Sequence, residues 1–583
     1  MQKGYMGAVI ALALAFASTA PAFAQTSSGP SVVVHGQRPV KHPHKWVRAE
    51  SRHFVAYSDA ARPDVEMLLT RMERFWLTLR EFSHADLDAP ADTPKQVLYY
   101  LADEQALGEI DPKTPDYAIG LYTTCADAQE GFGVHMYYAE QPKLALEKRP
   151  ENEGLSYIYQ AYARDFFRRH ATANTPLWFV EGYAQYFSTA RFDGNQIVVG
   201  MAPNALGTLL QRLGAGYMYS LNYADVLVGN DNDGTNQAGA AGLRNEFEAR
   251  SWVLTHWILS NKDNLAKFQA YLQAVSDGKD RIKAFKATFG LTPGQLNHIL
   301  WAYVRKLEAI KLAVKSLPDP DISVAQMPVS AERLLMTEAA LKACPSDARG
   351  QDLLKTAHDE AARYPGDAYA QTVLARAEAG FGDAVRAKTI LDSLIATSPQ
   401  DAELYTLKGM ALLRSGAARD AVAAFDKAGG LDPKSPVIAY YFSLAEAEVA
   451  GGFDTDSANA AIVAYLSAPH VDAYAWRAGL AYAWLGQNSD AAAALRVMAD
   501  NPRPGVLAQP AKDWIAKLNS ASKSDLSAAA LQPLPLPPKV LVTAREDWTY
   551  ASADVLKALD QAIANEEAAS IVDPSDPDFD RNH

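Results

Sequence analysis

The spacing of apolar and polar residues divides the chain into a mixed N-terminal part and a purely helical C-terminal part. Apolar runs predict buried strands at residues 51–58, 96–101, 119–124 and 133–138. The 3.6-residue spacing over residues 62–82 predicts an amphipathic helix, and two adjacent helices follow at 157–170 and 177–187. Further helices follow, the last at 296–311. This pattern predicts an α+β domain over residues 46–315.

The C-terminal part contains a repeat that is marked by proline. Prolines occur at 365, 399, 433, 469 and 502, with spacings of 34, 34, 36 and 33 residues. A 34-residue period is the signature of tetratricopeptide (TPR) repeats, in which two helices form each unit. The unit that ends at Pro433 follows the pattern best, with Gly409, Ala421 and Phe425 at the positions where the paired helices meet. We therefore predict five units, forming an all-α TPR solenoid over residues 329–519.

A TPR array leaves a concave groove lined by the first helix of each unit, and this groove is the natural place for a protein or peptide ligand. By their positions in the repeat, Tyr369, Arg376, Met410 and Tyr482 are candidates to line it. The alternative is that these side chains pack between neighbouring repeats. The sequence does not identify the partner.

The helix at 177–187 carries a motif from a known enzyme family. Its residues include Pro176, Trp178, Glu181, Gly182 and Gln185, followed by Tyr-Phe. This resembles the P-x-W-x-x-E-G-x-A-E-Y-F motif of the peptidase MA-like group of gluzincin metallopeptidases. The resemblance implies a zincin-like fold for the α+β domain.

The zinc-binding half of that family's motif is degenerate here. The family has HExxH on the preceding helix, and its two histidine positions fall on Gln160 and Arg164, with the general-base glutamate at Ala161. Zinc chemistry needs both imidazoles on one helix face and the glutamate to take a proton from the metal-bound water. The third ligand position keeps Glu181, whereas the supporting acidic position is Gln185. The resemblance therefore implies an inactive pseudopeptidase that holds no zinc or other cofactor.

Loss of the metal leaves Glu181 as a carboxylate in an apolar interior, which is unfavourable without a counter-charge. We therefore predict that Arg164, at the former ligand position, forms an ion pair with Glu181. The alternative is that Arg164 points to solvent.

Two other functions compete with a non-catalytic binding role. One is an active zinc metallopeptidase or other hydrolase with a site rebuilt around Glu181 and His135 or His170, although no HExxH or G-x-S-x-G motif is present. The other is a purely structural protein of the cell envelope. Convergence of a second His/Glu cluster on Glu181 would favour the first.

The net charge and the terminal segments indicate which partners and which cellular location to expect. The net charge of −13 argues against a nucleic-acid partner. Residues 1–24 have the pattern of a signal peptide cleaved after Ala24. No later run of apolar residues is long enough to span a membrane, so we expect a periplasmic or secreted protein. Residues 25–45 and the Pro-rich 316–328 are predicted linkers. Residues 520–583 are a predicted Pro/Ala-rich, acidic tail with a short helix at 552–568.

The chain has two cysteines, Cys125 and Cys344, one in each predicted domain. A bridge between domains requires a particular geometry. We therefore expect two isolated thiols, with a disulfide as the alternative.

Overall fold

The computed structural model describes residues 45–83, 94–102, 104–114, 118–134, 153–170, 175–203, 207, 209, 221–229, 240–304, 307–314, 316–501, 505–534 and 539–544. Residues 44–583 form one compact unit. The predicted signal peptide, nearly all of the 25–45 linker and the tail helix at 552–568 lie outside the described residues.

Ten strands form two sheets among the described residues. They are β1 (Val47–Glu50), β2 (Phe54–Ser58), β3 (Gln96–Leu101), β4 (Ala118–Thr124), β5 (Gln129–Val134), β6 (Arg191–Asp193), β7 (Gln196–Val199), β8 (Ile310–Ala313), β9 (Ser323–Gln326) and β10 (Lys539–Ala544). The larger sheet has the order β10-β4-β5-β3-β2-β1-β9, and β6, β7 and β8 form the smaller one. Strands β2, β3 and β5 run parallel, and the other pairs are antiparallel.

Several elements lie where the sequence pattern predicted something else. The predicted strand at 133–138 is instead β5, which begins at Gln129, and the predicted helix at 296–311 ends at Val304 before β8. The 316–328 segment contains β9, which pairs with β1, and the 520–583 segment contains β10, which pairs with β4. Two segments that were predicted to lie between or beyond the domains thus supply both edge strands of the large sheet.

The helices of the α+β part are α1 (Arg62–Ser83), α2 (Leu107–Ile110), α3 (Glu153–His170), α4 (Leu177–Ser188), α5 (Tyr223–Val228), α6 (Ala240–Leu259), α7 (Lys262–Ser276), α8 (Arg281–Phe289) and α9 (Pro293–Val304). One face of the large sheet packs on α1 and α3. Leu98 and Tyr100 of β3 share a buried cluster there with Leu68 and Tyr159. This cluster continues through α4 and α6–α9 and forms the first core.

Antiparallel helix pairs form the C-terminal part, as the 34-residue period predicted. They are α10 (Ala331–Lys342), α11 (Asp347–Ala361), α12 (Ala368–Phe381), α13 (Ala384–Thr397), α14 (Ala402–Arg414), α15 (Ala418–Leu431), α16 (Pro436–Ala450), α17 (Thr455–Ser467), α18 (Asp472–Trp484), α19 (Asn488–Ala499), α20 (Ala508–Lys517) and α21 (Lys523–Ala530). Five pairs, α10 to α19, match the five predicted units. A sixth pair, α20 and α21, crosses the predicted boundary at 519. Gly409 lets α14 approach α15, because a Cβ there would lie 2.5 Å from the Phe425 ring.

The first repeat helices pack directly on the other face of the large sheet. Side chains alternate between the faces of a strand, so Tyr99 and Phe132 point away from α1 and α3. They share a buried cluster with Leu334 and Leu335 of α10. The sheet therefore lies between the α1/α3 layer and the repeat array. The cluster between the sheet and the repeats is a second core, and it contains residues of both parts of the chain.

The two cysteines form a disulfide, with their Cα atoms 5.9 Å apart. The expectation of two isolated thiols is therefore wrong. Cys125 follows β4 and Cys344 follows α10, and packing of the repeats on the sheet brings these two chain positions together. In the described part of the chain, no helix combines the length and the apolar character that a membrane span needs.

Candidate functional site

The α3–α4 pair holds the five positions that correspond to the zinc site of the resemblance. Gln160 and Arg164 are four residues apart on α3, so they lie on one face. They are buried, as are Glu181 and Gln185 on α4, while Ala161 is half-buried. Gly182 makes this arrangement possible, because a Cβ there would overlap the Ser251 carbonyl and the Thr255 hydroxyl of α6.

The predicted ion pair between Arg164 and Glu181 is present. The Arg164 Nε donates to Glu181 Oε2 at 2.9 Å, and Nη2 donates to the same oxygen. The two side chains are only 2% and 0% exposed, so each charge has been removed from water and needs the other. The guanidinium thus supplies the positive charge for Glu181 from a position that the resemblance gives to a histidine.

A second carboxylate, Glu248 of α6, completes this polar cluster and was missed from the sequence. Its Oε2 accepts hydrogen bonds from Gln185 at 2.7 Å and Gln160 at 3.4 Å, and its Oε1 accepts one from Arg244 at 3.3 Å. The sequence held a partial indication of its role, because charged residues four positions apart on α6 predict ion pairs within that helix. Nothing local indicated that Glu248 would face α3 and α4.

These residues do not fit a zinc ion. The buried Arg164 guanidinium is hydrogen-bonded to Glu181, the carboxylate that a metal would need. The side-chain amides of Gln160 and Gln185 both donate to Glu248. Nowhere in the described ranges do three or more His, Cys, Asp or Glu side chains come close enough together to hold a metal ion. His135 and the side chain of His170, which the alternative hypothesis invokes, lie outside the described part of the structure.

The second feature is a cavity of about 740 Å³ between the sheet and the concave face of the repeats. One wall includes residues from α10, α12, α14, α16 and α18, which are the first helices of the five units. The opposite wall comes from the beginnings of β3 and β5, the turn between β4 and β5, and the end of α3. Two of the four predicted groove residues, Arg376 and Met410, line this cavity.

The other two predicted groove residues have packing roles. The Tyr369 hydroxyl donates to Glu338 Oε2 at 2.7 Å, within the interface between α10 and α12. The Tyr482 ring contacts the Tyr465 ring in the core of the last repeats. Neither residue is among those that line the cavity.

The β4–β5 turn docks on the repeats and closes one side of the cavity. Tyr441 of α16 donates to Asp127 Oδ1 at 2.5 Å, and Tyr474 of α18 donates to the carbonyl oxygen of Ala126 at 2.5 Å. The disulfide anchors the same turn at Cys125. A segment of this chain thus occupies part of the concave face through a carboxylate and a backbone carbonyl.

A network of ion pairs lies on the repeat wall. Arg376 of α12 donates to Glu403 of α14 at 2.5 Å, and Lys342 of α10 lies 3.9 Å from the same carboxylate. Lys342 also pairs with Glu338, one turn earlier on its helix. Burial opposes ionisation of Glu403, but Lys342 and Arg376 outweigh it and lower the pKa of Glu403. The two cations and two carboxylates therefore neutralise one another.

Glu130, at the beginning of β5, is the least satisfied carboxylate in the cavity wall. It is 1% exposed, and its Oε1 accepts a hydrogen bond from the Tyr99 hydroxyl at 3.0 Å. Its Oε2 has no hydrogen-bond partner among the described residues. Burial raises the pKa of Glu130 to about 7, against the opposing effect of Lys342 and the Tyr99 hydrogen bond.

Comparison with known proteins gives low similarity. No protein-family model matches the chain, and a search of curated proteins found no match. Among solved structures, TTC0263, a TPR protein in Thermus thermophilus, is 16% identical with a TM-score of 0.25, covering 30% of this chain and 92% of its own. YrrB, described as a TPR protein with an unusual peptide-binding site, is 15% identical with a TM-score of 0.23, covering 31% and 91%. At these TM-scores the likenesses carry no functional argument, and the repeat architecture rests on the helix pairs themselves.

Proposed function

We propose that this chain is a non-catalytic protein that binds a protein or peptide segment in the cavity between its sheet and its TPR array. The cavity carries the proposal: about 740 Å³ lies within the size of ordinary ligand sites, and the first helices of all five units line it. Leu407, Met410 and Ile438 offer apolar contact, while Arg376 and Glu130 offer polar contact. The concave face of a helical repeat array is also where such folds bind extended ligands.

The α3–α4 site supports the non-catalytic part of the proposal. The resemblance to gluzincins suggests a pseudopeptidase origin for the α+β part. Its third ligand position, Glu181, is held by Arg164 within hydrogen-bond distance. A peptidase mechanism would have to break this buried pair before zinc could bind.

Two observations favour export to the periplasm or the exterior. The first 24 residues have the pattern of a signal peptide. The Cys125–Cys344 disulfide is a bond that persists in oxidising compartments and is rare in the cytosol. A role in protein–protein contacts of the cell envelope is consistent with both.

The test uses the mature full-length chain and a library of random peptides displayed on phage. Selected peptides are measured by calorimetry against the wild-type protein and two variants. Ala402→Trp places an indole in the cavity wall, and Ala493→Trp adds the same group on the exposed side of α19 as a matched control.

We expect the selected peptides to bind the wild type and Ala493→Trp equally, and to lose more than about tenfold in affinity on Ala402→Trp because the indole fills the space they occupy. Peptides that bind Ala402→Trp as tightly as wild type would place binding elsewhere and contradict the proposal. Failure to select any peptide would contradict it as well.

A further inference from the structure

Glu130 lines the cavity, and one of its two carboxylate oxygens has no hydrogen-bond partner among the described residues. Oε1 holds the Tyr99 hydroxyl, and Oε2 has no partner among the described residues, although the side chain is 1% exposed. A buried carboxylate oxygen that lacks a donor destabilises the ionised form of the group. A ligand group that donates to this oxygen would therefore recover free energy on binding.

Six cationic side chains line the cavity; four of them pair with carboxylates, and the other two, Arg52 and Lys434, are exposed. Arg376 pairs with Glu403, and Lys342 pairs with Glu338 and lies close to Glu403. On the sheet side, Lys95 pairs with Glu50 at 2.5 Å and Arg169 with Asp165 at 2.8 Å.

The turn that borders the cavity adds a second carboxylate. Asp127 also lines the cavity, and a tyrosine hydroxyl is its hydrogen-bond donor there. Glu130 and Asp127 thus each hold a neutral hydroxyl rather than a cation. Lys342 and Arg376 act on both carboxylates from a distance, but among the described residues no cation forms an ion pair with either, so a positively charged ligand group can pair with them.

We propose that the occupant of the cavity is a basic segment of a partner protein, with a lysine or arginine side chain pairing with Oε2 of Glu130. This inference rests on the proposed peptide-binding function and names the ligand class. The apolar wall at Leu407, Met410 and Ile438 suits the methylene stem of such a side chain. The net charge of −13 favours encounter with a basic partner at long range.

The test is fluorescence anisotropy with the mature full-length protein and two labelled peptides of equal length. One alternates lysine with alanine, and the other alternates glutamate with alanine. Each is titrated with the wild type, with Glu130→Gln, and with Glu448→Gln. The last variant makes the same chemical change at an exposed position of α16 away from the cavity.

The wild type is expected to bind the lysine peptide at least about tenfold more tightly than the glutamate peptide. Glu130→Gln should lose about tenfold in affinity for the lysine peptide, because the cation no longer meets a charge, while Glu448→Gln should match the wild type. If Glu130→Gln fails to fold, Ala402→Trp provides the test, because an indole in the cavity wall should lower the affinity for the lysine peptide about tenfold while leaving the net charge unchanged.

The pH dependence gives an independent readout. Only ionised Glu130 pairs with a cation, and burial raises its pKa to about 7, with Lys342, Tyr99, Glu338 and Arg376 as the charged or titratable groups that face it. Affinity for the lysine peptide should therefore rise about tenfold from pH 6 to pH 8. In Glu130→Gln this rise should be absent.

Two results would overturn the inference, and they differ in what they say about the proposed function. If both peptides bind equally and both lose affinity on Ala402→Trp, the cavity binds peptides without selecting a basic one. If neither peptide binds, and phage display also selects none, the peptide-binding function fails together with the inference.

Discussion

Cys125 and Cys344, which lie 219 residues apart in the sequence, are joined by a disulfide between the sheet and the repeat array. Cys125 belongs to the turn whose neighbours Ala126 and Asp127 accept hydrogen bonds from the repeats. Covalent and hydrogen bonds therefore hold one turn on the concave face. The α+β part and the solenoid are fixed to one another at this point.

The first prediction concerns the stability that this bond provides. A cross-link that closes a loop of 219 residues lowers the entropy of the unfolded chain, and the loop-entropy relation gives about 5 kcal/mol. We expect the double variant Cys125→Ala/Cys344→Ala to lose up to about that much free energy of unfolding, measured by urea denaturation. The purified wild type should show no thiol that reacts with iodoacetamide before reduction. Free thiols in the unreduced protein would contradict the bond.

The second prediction tests the docked turn. Tyr441→Phe removes the donor to Asp127 and leaves a partly buried carboxylate without it, so a loss of about 1–3 kcal/mol in unfolding free energy is expected. The matched control is Tyr405→Phe, whose exposed hydroxyl makes only a 3.3 Å contact with the Pro399 carbonyl. Equal stability of the two variants would show that the Asp127 contact contributes nothing.

The third prediction concerns the buried ion pair. Arg164→Met alone removes the guanidinium that neutralises the buried Glu181 carboxylate and should lower the free energy of unfolding by about 3–5 kcal/mol. The double variant Arg164→Met/Glu181→Leu removes both charges and should recover most of that loss. Thermal and urea denaturation of both variants would measure the difference. Additive losses in the double variant would refute a coupled pair.

The fourth prediction addresses metal content. Elemental analysis of the mature protein, purified without a histidine tag, should find much less than one zinc per chain, unchanged by added zinc, because Arg164 is bonded to the carboxylate that a metal would use. One zinc per chain that disappears in Glu181→Ala would mean a rebuilt site. A protease assay would then be the next experiment.

The fifth prediction is a pH dependence of stability. Burial raises the pKa of Glu130 from 4.5 to about 7, so the folded state holds a proton in this interval that the unfolded state has lost. Stability should consequently fall as the pH rises from about 4.5 to 7, by about 3 kcal/mol from this group, and change no further above that.

The matched variant for this prediction is Glu130→Gln, which cannot ionise. It should be more stable than the wild type at pH 8 and similar to it at pH 4.5, and the Glu448→Gln control should follow the wild type throughout. Urea midpoints at several pH values provide the measurement. A Glu130→Gln variant that is less stable at pH 8 would indicate that an ionised Glu130 is well compensated in the folded protein.

Much of the fold followed from local patterns. The strand at 96–101, the long helix beginning at Arg62 and the α3–α4 pair lie where apolar spacing predicted them, and the proline period located the repeat helices. Strand β5 was misplaced because Gly131 and Gly133 interrupt its apolar pattern and have low β propensity. Strand β9 was missed because an edge strand of four mostly exposed residues has no hydrophobic signature.

The candidate site likewise contains residues whose contacts the sequence predicted and residues whose contacts it did not. Arg164 and Glu181 were predicted to pair because the resemblance aligns both with zinc-ligand positions, which face one another, and a buried Glu181 needs a counter-charge. Glu130 carried no such signal, since a glutamate at the start of a strand is ordinarily solvated. Its burial results from helices of the repeat array that begin about 200 residues later in the chain.

The sequence by itself therefore determined the helices, most strands, the 34-residue repeat and the pairing of Arg164 with Glu181. These properties depend on residues within a few turns of one another. Tertiary structure alone decided the disulfide, the docking of the β4–β5 turn on Tyr441 and Tyr474, and the incompletely bonded carboxylate in the cavity. Each of these joins positions separated by hundreds of residues, and their proximity arises only when the apolar faces of the sheet and the first repeats pack together.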